Sequence, residues 1–217
     1  MKTYSTFLDY VMPYAPGATV AMATLELKNT CIEFCEKSLI IQRDHDPVTV
    51  IAGITDYDFD PPITNHLVVK IMKAWFNGTE ILPIAPDDIT DPTIYNKAFA
   101  NANTNPSTPQ RYFQKDERTF TILPPSKDTA PSALTMRVAL KPSRSATQVE
   151  DVLLEDYAEY IGAGALARLM MTPGKPYTAP QSGAIYQAKF TLGINMARQR
   201  ANRGYVRADA RVQFPGI

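Results

Sequence analysis

Histidine and cysteine are almost missing from this chain of 217 residues: it has only His45, His66, Cys31 and Cys35. Neither histidine has a cysteine or second histidine at metal-ligand spacing, which argues against zinc. The two cysteines stand four apart on a predicted helix, a geometry that does not readily give a bridge. They read as two buried thiols in a reducing compartment. Cys31 as a nucleophile served by a distant histidine is the sharper reading, but its place on an apolar helical stripe favours a packed thiol. No phosphate-binding loop, glycine-rich dinucleotide turn or Gly-x-Ser-x-Gly motif is found. Asp56, Asp58 and Asp60 alternate and Asp87 adjoins Asp88, but the glycine and terminal glutamate of a calcium loop are absent. The alternating acids read as an exposed strand face. No catalytic residue, cofactor or metal is expected, and an enzyme reading has no residue to stand on. Long apolar runs are lacking too. Nothing approaches the ~20 apolar residues needed to span a bilayer, and no apolar segment follows Lys2 as in a secretory leader, so a soluble protein without membrane association is expected.

What is present is an ordinary globular composition, 45% hydrophobic and 10% aromatic, enough for a real core. The length fits one large domain, or one domain with a sizeable insertion. Net charge is zero, but unevenly spread. From Gln181 onward six basic residues face the single acid Asp209, so this end carries +5 and the remainder −5. Such an end suits nucleic acid, an acidic partner surface or a solvated helix.

Apolar periodicity orders the chain into helix, strand, then helix. Residues 3–11 read as a short helix with Ser5 as N-cap, and residues 18–42 as a long one striped by Val20, Ala23, Leu27, Cys31, Phe34 and Cys35. Asp44 to Pro47 reads as its exit turn. From Val48 the period becomes twofold. Strands are predicted around residues 48–52, 57–59, 67–76, 79–84, 111–115, 119–123 and 134–140. Asn77-Gly78 between two apolar runs is a strong hairpin signal, because both residues tolerate positive φ. Asn77-Gly78-Thr79 also matches a glycosylation sequon, which nothing else supports. Residues 86–109 read as a long loop with one helical turn around residues 91–99; loops of this length are uncommon unless they serve a partner.

Residues 151–171 return to helix, with Gly162-Ala163-Gly164-Ala165 allowing close approach. A Pro-rich turn leads to the last helix, ended by Gly204. There Ile185, Ala188, Leu192 and Met196 form one stripe, and Tyr186, Phe190, Gly193, Ala197 and Ala201 a second beside it; together they read as a broad core-facing surface. Beyond Gly204 the tail is short yet rich in apolar residues, as suits an arm that lies on another protein. The expected fold is α+β: an antiparallel bundle of three to four helices (1–46 and 148–204), an inserted antiparallel β domain (47–147) and an extended C-terminal docking arm (205–217).

This order of parts resembles the bacteriophage head-to-tail adaptor (connector) family, of the tail tubular protein A type of short-tailed phages. The residues that carry it are Glu33-Phe34-Cys35 on the first long helix, Tyr57-Asp58-Phe59 and Trp75-Phe76-Asn77-Gly78 in the β insertion, Ile161 to Leu166, and the tail ending near Phe214. The resemblance implies a structural virion protein that forms a ring, dodecameric in the family, at the head-tail junction. It would join the portal protein to the tail nozzle or tube protein while DNA passes through the channel, after assembly in the host cytoplasm. It implies a portal-docking arm of Tyr205, Val206, Arg207, Arg211, Val212, Phe214 and Ile217. It also implies tail-facing loops with Asn77, Gly78, Asp87, Asp88, Tyr95 and Phe99. The alternatives are another neck component, such as a stopper or tail-completion protein, and a nucleic-acid-binding module using the Arg-rich end.

Overall fold

The computed structural model describes residues 1–85 and 107–204. The fold is α+β, and the chain divides into two compact units. The first is Met1–Ile41 with the described residues of Pro142–Ile217; the second is Gln42–Lys141. The division falls at Gln42, where a strand begins, and at Lys141, one residue before a strand ends, earlier at both edges than the change in sequence periodicity indicates.

The first unit is built from three long helices. Helix α1 spans Val20–Ser38. Its N-cap Thr19 accepts a hydrogen bond from Met22 N, and its C-cap Leu39 is left-handed (φ 56°). That cap ends the helix before the expected Gln42. The region expected to form one helix from 151 to 171 is broken into α2 (Asp151–Glu155) and α3 (Ala158–Met170). The break is at Asp156–Tyr157, where the Tyr157 ring is buried 5.2 Å from that of Phe34. Helix α4 spans Pro180–Arg203, with proline in its first turn and Gly204 (φ 67°) at its C-cap. Residues Tyr4–Tyr10 form a 3-10 helix capped by Thr3 rather than an α-helix starting at Ser5. A short pair, β1 (Lys2–Thr3) with β9 (Gln148–Val149), ties the chain start to the residues before α2.

Helix α3 is the centre of this unit, and its small residues explain why. A methyl carbon placed on Gly162 would lie 2.7 Å from Tyr10 Cβ, and one on Gly164 would lie 2.5 Å from Thr30 Cγ2 and 2.6 Å from Phe190 Cδ2. The 3-10 helix, α1 and α4 therefore all approach α3 more closely than a side chain would permit. The core around it holds Phe7, Leu27, Phe34, Leu153, Ile161, Leu166 and Phe190, all at most 2% exposed.

The second unit is a seven-stranded mixed sheet in the order β2-β8-β4-β5-β6-β7-β3. Its strands are β2 (Gln42–Val50), β3 (Asp56–Asp58), β4 (His66–Phe76), β5 (Thr79–Pro83), β6 (Arg111–Gln114), β7 (Thr119–Leu123) and β8 (Ala130–Pro142). Two expectations are corrected here. Asp44 to Pro47 is part of β2, not an exit turn. Pro47 is accommodated because β2 is an edge strand whose register shifts between His45 and Val48. The sheet is also not wholly antiparallel, since β5 and β6 pair in parallel, Leu82 with Arg111 and Pro83 with Tyr112. The connection between them is long enough to carry the chain back to the same end, which a tight hairpin cannot do.

Where β5 leaves β4 to join β6, the Gln114 side chain fills the gap. Its Oε1 accepts from Ile71 N at 3.2 Å, and its Nε2 donates to Val68 O and Asp116 O at 3.2 and 2.9 Å. An aromatic group of Tyr57, Phe59 and Phe120, with Phe59 and Phe120 centroids 4.8 Å apart, closes the other side of the sheet around β7.

Candidate docking surfaces

The groups with reactive potential are held in structural roles. Cys31 and Cys35 are fully buried, and burial pushes both thiols well above the usual range, which disfavours the nucleophilic thiolate. His45 is buried beside the Phe59 ring; its Nδ1 meets Asp46 O at 2.7 Å, and its Nε2 accepts from Asp60 N at 3.1 Å. Both ring nitrogens thus serve the backbone. His66 Nδ1 bonds Thr64 O at 3.1 Å. Asp56 binds Lys115 and Thr121 at 2.6 Å each, and these hydrogen bonds hold its carboxyl below the usual range. Among the described residues no group of three or more metal-ligating side chains converges, and no helix is long and apolar enough to cross a membrane.

What the described surface offers instead is exposed apolar area. On α4 the side chains of Ile185, Leu192 and Met196 are 72, 55 and 48% exposed. They follow one another at steps of seven and four, so they share one face. The sequence places this stripe in a broad core-facing surface, and the structure corrects that. Of the second stripe Phe190, Gly193 and Ala197 are buried and Tyr186 and Ala201 half-buried; Gly183 and Ile194 complete the core face, while Ala188 lies exposed with the first stripe. The close seat of Gly193 against Tyr160 decides which stripe faces inward, since a methyl carbon there would lie 2.4 Å from Tyr160 Cγ. A second exposed apolar side chain, Leu25 at 56%, is on α1. A further one is the tip Ile51–Ile54, held by Tyr57 Oη to Ile51 N at 3.0 Å and by Gly53 N to Ser126 O at 2.9 Å.

The charge on these faces differs. Helix α4 carries Lys189, Arg198, Arg200 and Arg203 and no acid. Some are tied within the chain: Lys189 to Glu159 at 3.0 Å, Arg200 to Asp156 at 2.8 Å. Helix α1 carries Glu26, Glu33 and Glu36 together with Lys28 and Lys37. Arg168 bridges Glu26 and Glu33, and Lys37 also bonds Glu33. Burial alone would raise the Glu33 carboxyl, but these hydrogen bonds outweigh it and hold the group below its usual range.

Of the residues the sequence singled out, Asn77 and Gly78 form the exposed β4–β5 turn with φ of 48° and 79°. That is the pair of positive values a two-residue hairpin turn requires. Asn77 N also donates to Ala133 O at 2.8 Å, fixing the tip against β8. Asp87, Asp88, Tyr95 and Phe99, with the helical turn expected at 91–99, lie outside the described residues, as do all members of the arm, Tyr205 to Ile217. The exposed stripe on α4 was missed as a surface because two adjacent stripes fit one helix equally well; the glycines of the inner one were the available signal.

A search of curated proteins found no match. A family model described as SU10 adaptor protein matches residues 2–213, nearly the whole chain. The chain therefore belongs to the SU10 adaptor protein family and is a structural adaptor protein of a phage virion.

Proposed function

We propose that the protein forms a ring at the head-tail junction, joining portal to tail nozzle or tube and leaving a channel for DNA. The family match over residues 2–213 carries this reading. In it, the three packed helices are an antiparallel bundle that builds the body of the ring. The 13 residues after Gly204 are the arm that binds portal, anchored by Tyr205, Val212, Phe214 and Ile217, with Val206, Arg207 and Arg211 between them. The β unit faces the tail through the Asn77-Gly78 turn and the segment bearing Asp87, Asp88, Tyr95 and Phe99. The position of Gly204 supports the arm: its positive φ ends α4, and its N–H closes the last turn on Arg200 O at 2.8 Å.

The test is deletion of residues 205–217. The truncated chain keeps its helical content and thermal midpoint and loses binding to the portal protein, measured by co-sedimentation. Undiminished portal binding would overturn the arm assignment. Images of assembled particles separate the adaptor reading from a stopper or tail-completion role, since only the former places this subunit directly on the portal.

A further inference from the structure

We infer that Asn77 is a site of spontaneous covalent modification: the main-chain nitrogen of Gly78 attacks the Asn77 side-chain amide and converts residue 77 to aspartate and isoaspartate. The inference concerns the β unit alone and stands whichever partner that unit meets.

The reaction balances without an enzyme. Gly78 N forms a bond to Asn77 Cγ and gives up its proton, the Cγ–Nδ2 bond breaks, and ammonia leaves. The product is a five-membered succinimide. Water then opens the ring at either carbonyl. Opening at Cγ restores the main chain with an aspartate side chain; opening at the main-chain carbonyl leaves the chain running through the side chain, as isoaspartate.

Sequence and structure both point to this position. Asn77 is the only asparagine of the sequence followed by glycine, and a side chain on the following residue would crowd the attacking nitrogen. Asn77 and Gly78 are both exposed, so water and hydroxide reach the peptide between them. A methyl carbon on Gly78 would meet nothing within 4 Å, so the ring has room to form. Among the described residues, neither the Asn77–Gly78 peptide nor the Asn77 side-chain amide has a hydrogen-bond partner. The tie from Asn77 N to Ala133 O at 2.8 Å lies on the other side of Cα from the atoms that react. The turn therefore anchors the residue and leaves its reactive side free.

The products do not fit the turn that made them. Asn77 at φ 48° and Gly78 at φ 79° keep Phe76 opposite Thr79. Isoaspartate lengthens the main chain of that two-residue loop by one methylene, and both products add a negative charge at its tip. Conversion thus loosens the β4–β5 end of the sheet.

The test incubates the full chain, folded and in urea, in mildly alkaline buffer and follows residue 77 by peptide mass spectrometry for a gain of one mass unit. The expected result is conversion of the folded chain at a rate within several-fold of the unfolded one. A folded chain that stays unmodified while the unfolded chain converts would overturn the proposal, because the hairpin would then protect the site. Gly78→Asp keeps a residue that tolerates positive φ but adds a side chain beside the nitrogen, and is expected to slow conversion several-fold. An equal rate would overturn attack by Gly78 N. That comparison is also made in urea, so it needs no folded variant. Converted chain, separated by its added charge, is expected to unfold at a lower temperature than fresh chain; an unchanged midpoint would overturn the loosening of the turn.

Discussion

Glu33 shows how single side chains tie the helical unit together. One carboxylate oxygen bonds Lys37 a turn further along α1; the other bonds Arg168 on α3. These bonds hold the folded carboxyl below its usual range, so the unfolded chain binds the proton more tightly. The stability this gives is complete above the ordinary glutamate range near pH 4.3, and it is lost as pH falls through the lower folded value. Glu33→Gln is expected to cost about 1 kcal/mol at neutral pH and to flatten the acid limb of the stability profile, as followed by urea unfolding between pH 3 and 7. An acid limb unchanged by the substitution would show that other carboxylates set it. His45 makes the complementary point. It is one of only two histidines in the sequence, a conspicuous candidate for chemistry, yet both of its nitrogens are committed to backbone groups of the β unit.

At the scale of elements, the approach of α3 to its neighbours governs the helical unit. Replacing a helical glycine by alanine ordinarily stabilises by about 1 kcal/mol. At Gly193 the sign reverses, because the added methyl meets Tyr160 Cβ and Cγ, atoms close to the backbone that cannot swing away. Gly193→Ala is expected to destabilise by about 1–3 kcal/mol. The combination with Tyr160→Ala should recover part of the loss, so a double-mutant cycle by chemical denaturation would show coupling; strictly additive effects would refute it.

The same elements mark what the sequence could disclose. The Asn77-Gly78 hairpin was legible because its turn chemistry is local, and α1 and α4 were legible because their apolar period is long. Less legible were features fixed by distant partners. Nothing near Tyr157 announces the break between α2 and α3, which follows from a ring packed on Phe34 in another helix. The parallel pairing of β5 with β6 joins strands far apart in the chain. On α4 periodicity revealed both stripes, but only the seat of Tyr160 on Gly193 determines which one is buried.

For the whole molecule, the manner in which the β unit is inserted has a consequence of its own. The chain enters this unit on β2 and leaves it on β8, and the two strands are hydrogen-bonded neighbours, with Gln42 opposite Ala139. Entry and exit therefore lie side by side, so residues 42–141 form a cassette whose two ends are already joined by its own sheet. Expressed alone, this segment should fold cooperatively with a single thermal transition, because closing its ends adds little entropy cost. A segment that stays unfolded would show that the sheet depends on the helices. If the cassette folds, it can be exchanged between adaptors as one piece, by a graft at two adjacent backbone positions.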